Sequence, residues 1–182
     1  MTIADERFRE LYDSYFKPVH AYCHRRTEPD RVDDATSEVF LVAWRKIDQV
    51  PAGTDALPWL YQVAYGVLTN VWRGAGRQTR LRQKLDAYGV GTAPPADEFV
   101  VMRQEARQIL EAMALLKASQ QEVLRLSVWE GLSGSELAIA LDVTVDAAKQ
   151  RLSRARRELA DSYNRLEAGK KPSLVARKGG AW

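Results

Sequence analysis

DVTVDAAKQRLSRARREL, residues 142–159, decides how the rest of the chain is read. Val145, Ala148, Leu152, Ala155 and Leu159 recur at intervals of three and four, which is one apolar stripe on an α-helix. Opposite that stripe lie Gln150, Ser153, Arg154 and Arg157, flanked by Lys149, Arg151 and Arg156. No acid occurs from 147 to 157. Solvated helix faces ordinarily mix charge signs, so an acid-free face of short polar groups bordered by cations fits the DNA major groove. Gln and Arg pair with base edges there, while flanking Lys and Arg neutralise phosphates.

The residues just upstream agree. Ser133 and Glu136 form an S-x-x-E capping box, with Leu132 and Leu137 placed as a hydrophobic staple. A short helix is therefore expected from Ser133 to about Leu141. A tight turn follows through Asp142 and Val143, and Thr144 caps the next helix. Two helices joined this way are a helix-turn-helix. Ser119 and Glu122 make a second capping box, and Met102, Ala106, Ile109, Met113 and Leu116 predict an amphipathic helix before it.

Further upstream, DAYGVGTAPPADE at 86–98 has adjacent prolines, glycines and no helical period, so residues 85–99 are expected to be an exposed linker. Before it, Phe8, Leu11, Tyr12, Tyr15, Val19 and Tyr22 make one helical stripe, and Val32, Ala35, Val39, Val42 and Ala43 another, separated by a break at TEPD. A third helix is expected to start near Pro58 and run to the Gly74/Gly76 pair. It carries Trp59, Tyr61, Tyr65 and Trp72, and an acid-free cationic track through Arg73, Arg77, Arg80, Arg82 and Lys84 follows. Rings beside a cationic track suit single-stranded nucleic acid, whose bases stack while its backbone follows the charge. Periodicity does not say which rings face out; Trp59 and Leu60 are read as core.

The fold class is thus all-α, in two small helical domains at 1–84 and 100–166, with a basic, aperiodic tail at 167–182 expected to lack fixed structure. The bulk properties fit. The chain has 182 residues, 46% of them hydrophobic and 28% charged, with a net charge of +3. No apolar run is long enough to span a bilayer, and MTIADERFRE does not resemble a secretory signal, so a cytoplasmic location without membrane insertion is expected. Cys23 is the single cysteine and shares a helix face with His20 and His24. No other His or Cys exists to complete a zinc set, so no metal and no cofactor are expected. With no Gly-rich phosphate loop and no nucleophile–base pair, nothing points to an enzyme.

Taken together, residues 5–165 resemble the bacterial RNA polymerase sigma factors of the extracytoplasmic-function group. FRELYDSYFKPVHAYCHRR, DDATSEVFLVAWRK and PWLYQVAYGVLTNVWR resemble successive helices of sigma region 2. EGLSGSELA followed by RLSRARREL resembles region 4. The resemblance implies a protein that binds core RNA polymerase and promoter DNA, leaves catalysis to the polymerase, and is held by an anti-sigma factor. Lys149, Gln150, Arg151, Ser153, Arg154 and Arg157 would then meet the upstream promoter element as duplex. The loop DQVPAGTDAL and the third helix, with Tyr61, Tyr65, Asn70, Arg73 and Arg77, would meet the downstream element as unwound non-template strand, where base flipping costs a few kcal/mol of stacking. Asp34, Glu38, Leu41 and Trp44, in an acid-rimmed and partly apolar stretch, would dock on the polymerase.

This chain departs from the group's usual pattern at four places. Ser37 stands where Gln is common, Tyr65-Gly66 where Arg-Asn is usual, Asp142 where the turn usually has glycine, and a proline usual near Ala118 is missing. Asp142 is tolerable because aspartate enters the left-handed backbone region. A polymerase-independent helix-turn-helix regulator is the competing reading. It accounts for 119–159 but gives the first module's aromatic and cationic helix no role.

Overall fold

A computed structural model describes residues 3–82 and 100–170, with side chains over 3–70 and 106–168. The expected linker at 85–99 and most of the tail lie outside the described residues. Seven α-helices and no strand are present among the described residues: α1 (Ile3–His24), α2 (Val32–Arg45), α3 (Ala56–Arg82), α4 (Val100–Ala114), α5 (Ala118–Val128), α6 (Gly134–Leu141) and α7 (Val145–Lys170). Two compact units result: residues 3–82 with 126–148, and residues 100–125 with 149–170. The first unit therefore takes in α6, which packs against α3.

In the first unit α1, α2 and α3 pack on one another pairwise. Their core is Val19, Tyr22, Val39, Ala43, Leu60, Ala64 and Leu68, all 0% exposed. Those on α1 and α2 belong to the apolar stripes of the sequence, in which Tyr12 is the outlier at 40% exposure. Aromatic rings fill the α1–α2 seam: Phe8 meets Trp44 edge-on at 5.1 Å and Tyr12 meets Phe40 at 4.8 Å. Edge-to-face packing sets the negative ring face against the positive ring edge. The break after α1 is a short 3-10 turn at Pro29–Arg31, where proline's fixed φ suits the first position.

Three boundaries differ from the sequence expectation. α3 does not end at Gly74/Gly76 but continues to Arg82; glycine weakens a helix by about 1 kcal/mol without stopping it. α5 begins at Ala118, so Ser119 lies inside it rather than at its cap. The Lys117 backbone N–H instead donates to the Gln120 side-chain oxygen at 3.0 Å, which does the reciprocal half of a capping box two residues earlier. Glu122, the supposed box partner, is buried. α7 runs on to Lys170, four residues into the stretch expected to lack structure.

In the second unit, the α4 stripe is rotated from expectation. Ile109 is exposed, while Gln108 and Ala112 are buried. Gln108 is satisfied there, its side-chain oxygen accepting from the Tyr163 hydroxyl of α7 at 3.3 Å. A buried amide with a partner costs little, so the polar residue takes the inward position.

Candidate nucleic-acid interface

The turn between α6 and α7 is built as its residues suggest. Glu136 accepts from the Ser133 backbone N–H at 3.4 Å and the capping box is complete, with Leu132 and Leu137 both buried. α6 ends at Asp142, the one described non-glycine residue with positive φ, at 51°. Its N–H reaches the Ile139 carbonyl and that of Val143 reaches Ala138, so the last carbonyls of α6 are used. Thr144 then caps α7, its hydroxyl accepting from Ala147 N–H at 3.2 Å.

Along α7, Ala148 and Ala155 are fully buried, Leu152 and Leu159 half-buried and Val145 exposed. Lys149, Gln150, Arg151, Ser153, Arg154 and Arg157 are all exposed. The polar and cationic face is thus outward, with side chains free to reach an ordered ligand.

On the first unit, α2 and α3 border a groove. One stretch is a cleft of about 640 Å³ lined by Arg31, Asp34, Ala35, Glu38, Val42, Val67 and Asn70. A second, of about 400 Å³, shares Val42, Val67 and Asn70 and adds Lys46, Gln49, Trp59, Gln62 and Gly66. Asn70 is exposed, so of the residues assigned to the unwound strand it lies in this groove beside Asp34 and Glu38, assigned to the polymerase. Leu41 and Trp44, at 48% and 40% exposure, are accessible on α2. Arg31, Lys46 and Gln62 were not singled out in the sequence, because only the pairing of α2 with α3 brings them to one groove. Gly66 is exposed, and a Cβ there would meet nothing within 4 Å, so packing does not demand this glycine.

The remaining strand-contact candidates fall elsewhere. Tyr65 is half-buried, and the side chains of Arg73 and Arg77 lie outside the described residues. Tyr61 is only 3% exposed, stacked on Tyr22 with centroids 4.9 Å apart. Over the other ring of the pair, the Arg26 guanidinium lies 3.6 Å from the Tyr22 centroid, a cation–π contact. Arg26 donates to Glu130 at 2.9 Å and to the Tyr22 carbonyl at 3.3 Å, and Arg25 pairs with the other Glu130 oxygen. Burial, reinforced by the Glu130 carboxylate, pushes the Tyr61 hydroxyl up to about 12. Residues 104 apart in sequence form the Arg26–Glu130 pair, so no local pattern could have revealed it.

His20, Cys23 and His24 do not converge. His20 pairs with Asp33 at 3.2 Å, His24 is exposed, and Cys23 is fully buried with its thiol pushed up by desolvation. Among the described residues no group of three potential metal ligands occurs, and no helix is long and apolar enough to cross a membrane.

Comparison with known proteins adds the lineage. The family model for sigma-70 region 2 matches residues 11–78 and that for sigma-70 region 4 matches residues 106–159. The chain is 29% identical over 151 residues to a probable RNA polymerase sigma factor, RfaY, of Xanthomonas campestris pv. campestris, an alignment covering 79% of this chain and 38% of that protein. It is 30% identical over 159 residues to the ECF RNA polymerase sigma factor BldN of Streptomyces coelicolor, covering 85% of this chain and 60% of BldN. The chain therefore spans less than two thirds of the length of both. In fold it is similar to the sigma factor RpoE of Bartonella quintana, solved in complex with the anti-sigma factor NepR. The TM-score is 0.63 at 20% identity, over 86% of this chain and 96% of that one. With both regions matched in order, the chain belongs to the sigma-70 family of bacterial RNA polymerase sigma factors, in its extracytoplasmic-function group.

Proposed function

We propose that this chain is an alternative sigma factor that binds core RNA polymerase and directs promoter recognition, promoter melting and transcription initiation. The observation that carries this is the pair of surfaces in one chain. The outward face of α7, acid-free from 147 to 157, is suited to duplex, and the stretch of the α2–α3 groove lined by Lys46, Gln49, Gln62 and Asn70 is suited to a displaced strand. Residues 1–84 and 100–166 are the working domains in this reading, joined through 85–99.

On α7, Lys149, Arg151 and Arg157 neutralise phosphates, while Gln150, Ser153 and Arg154 meet base edges of the upstream element. Asn70 and the groove residues Gln49, Gln62 and Lys46 meet the downstream strand, with Arg73 and Arg77 further along the helix. Asp34, Glu38, Leu41 and Trp44 dock on the polymerase, whose active centre does all the chemistry. The chain itself is not an enzyme, takes no cofactor and works in the cytoplasm. By its likeness to a sigma factor solved with an anti-sigma factor, it is held in check by such a protein.

The region 2 match weighs against a polymerase-independent regulator, which needs only the helix-turn-helix. Core polymerase separates the two. Co-elution with core enzyme, and permanganate-reactive thymines on a bound promoter only when both are present, are expected here. A regulator acting alone gives neither.

A further inference from the structure

Arg7, Leu11 and Tyr15 follow one another at intervals of four on α1, so they form one ridge of that helix, an apolar side chain between two donors. This ridge faces the connection between α2 and α3. Leu11 is buried, the Arg7 guanidinium donates to the Val50 carbonyl, and the Tyr15 hydroxyl donates to the Gly53 carbonyl at 3.2 Å. The Gly53 carbonyl accepts a second time, from the backbone N–H of Ala56, where α3 begins.

Core packing fixes the ends of this connection but not its crest. Ile47, Val50 and Ala56 are buried, whereas Ala52, Gly53 and Thr54 are exposed. Between the ridge and the connection lies a cavity of about 390 Å³, so the crest spans open space rather than resting on α1. Gly53 has a left-handed backbone at φ 65°, and a Cβ there would meet nothing within 4 Å. Glycine takes either sign of φ with equal ease, so the two bonds on its carbonyl, rather than crowding, keep it in this shape.

We propose that Arg7 and Tyr15 are positioning residues for reading the downstream element: by holding the Val50 and Gly53 carbonyls they fix the crest at 51–54 in the shape that discriminates between bases of the unwound strand. The inference rests on the reading of DQVPAGTDAL, residues 48–57, as the loop that meets that strand. A crest fixed beforehand carries no ordering cost on binding, and one set loose samples shapes that grip different bases alike.

Tyr15→Phe removes one hydroxyl, Arg7→Met removes every donor of that side chain, and Arg7→Lys keeps one. In hydrogen exchange of the full-length chain, amides at 53–56 of Tyr15→Phe are expected to exchange faster while those of α2 at 39–43 keep their protection. The variants, joined to core polymerase, are then titrated with fluorescein-labelled single strands that carry the downstream element of a promoter selected from random DNA, unchanged or with single bases replaced. In Tyr15→Phe and Arg7→Met the ratio of affinities between the unchanged strand and one of the replaced strands is expected to fall about fivefold, the worth of one net hydrogen bond. Arg7→Lys is expected to recover most of that ratio, and binding of upstream duplex to stay at the parent's level in all three. Tyr12→Phe, which takes a hydroxyl from an exposed residue of the same helix, is expected to behave like the parent. Unchanged exchange at 53–56 overturns the proposal, as does a ratio that stays at the parent's value. A matching loss on upstream duplex makes the two bonds a general support of the fold and overturns it too. Failure of the parent chain to bind core polymerase, with exchange at 53–56 responding as stated, sinks the sigma reading instead, so the two failures are distinguishable.

Discussion

The Tyr22 and Tyr61 rings stack with centroids 4.9 Å apart and planes 22° apart, joining α1 to α3 at the centre of the first unit. The Tyr61 hydroxyl, pushed up from 10.0 to about 12 by burial and then by Glu130, resists ionisation in the folded chain. The unfolded chain releases that proton first, so the stabilisation is complete below pH 10 and is lost as pH rises towards 12. Urea unfolding at a series of alkaline pH values is expected to show a steeper fall for the parent than for Tyr61→Phe, which has no proton to lose. Parallel curves contradict the assignment.

Asp142 pays for the turn between α6 and α7 with a backbone at φ 51°. Asp142→Val is expected to destabilise the chain by about 1–2 kcal/mol, because a β-branched side chain clashes in the left-handed region. Asp142→Gly is expected to lie within about 1 kcal/mol of the parent. Thermal unfolding compares them; equal stability of the Val and Gly variants is the contrary result.

Leu41, 48% exposed on α2, contributes little to the core. Leu41→Ala is expected to weaken the complex with core polymerase by about 1–2 kcal/mol, a loss typical of interface anchors. Its unfolding free energy is expected to stay within roughly 0.5 kcal/mol of the parent, as for other surface changes. A loss of stability that matches the loss of binding removes Leu41 from the interface.

Arg154 is exposed on the acid-free face of α7. Arg154→Ala is expected to cost about 1–3 kcal/mol in promoter binding by the holoenzyme and to relax preference at one upstream base pair. Gel-shift titration against a panel of single-base variants reads this. An equal loss on every variant makes Arg154 a phosphate contact.

The elements legible in the sequence are those fixed by neighbours in the chain. Thr144, the Ser133–Glu136 box and the left-handed Asp142 all act across a few residues, and each stands in the structure where its spacing puts it. The Ser119–Glu122 motif has the same spacing but lies one step inside α5, because Gln120 had already supplied the partner for Lys117. Periodicity also misplaced the face of α4, where the buried Gln108 answers to Tyr163, 55 residues away. The groove beside Asn70 and the Glu130 cluster come from pairings between distant segments, which a one-dimensional pattern does not encode. Tyr61 belongs with them: its place among aromatic and cationic residues suggested contact with nucleic acid, whereas tertiary packing on Tyr22 buries it.

Run-off transcription by core RNA polymerase on a template chosen by selection from random DNA tests the central claim most directly. Transcripts of one defined length are expected only when this chain, core enzyme and that template are all present. Transcript yield from core enzyme that does not change on adding the chain contradicts the claim.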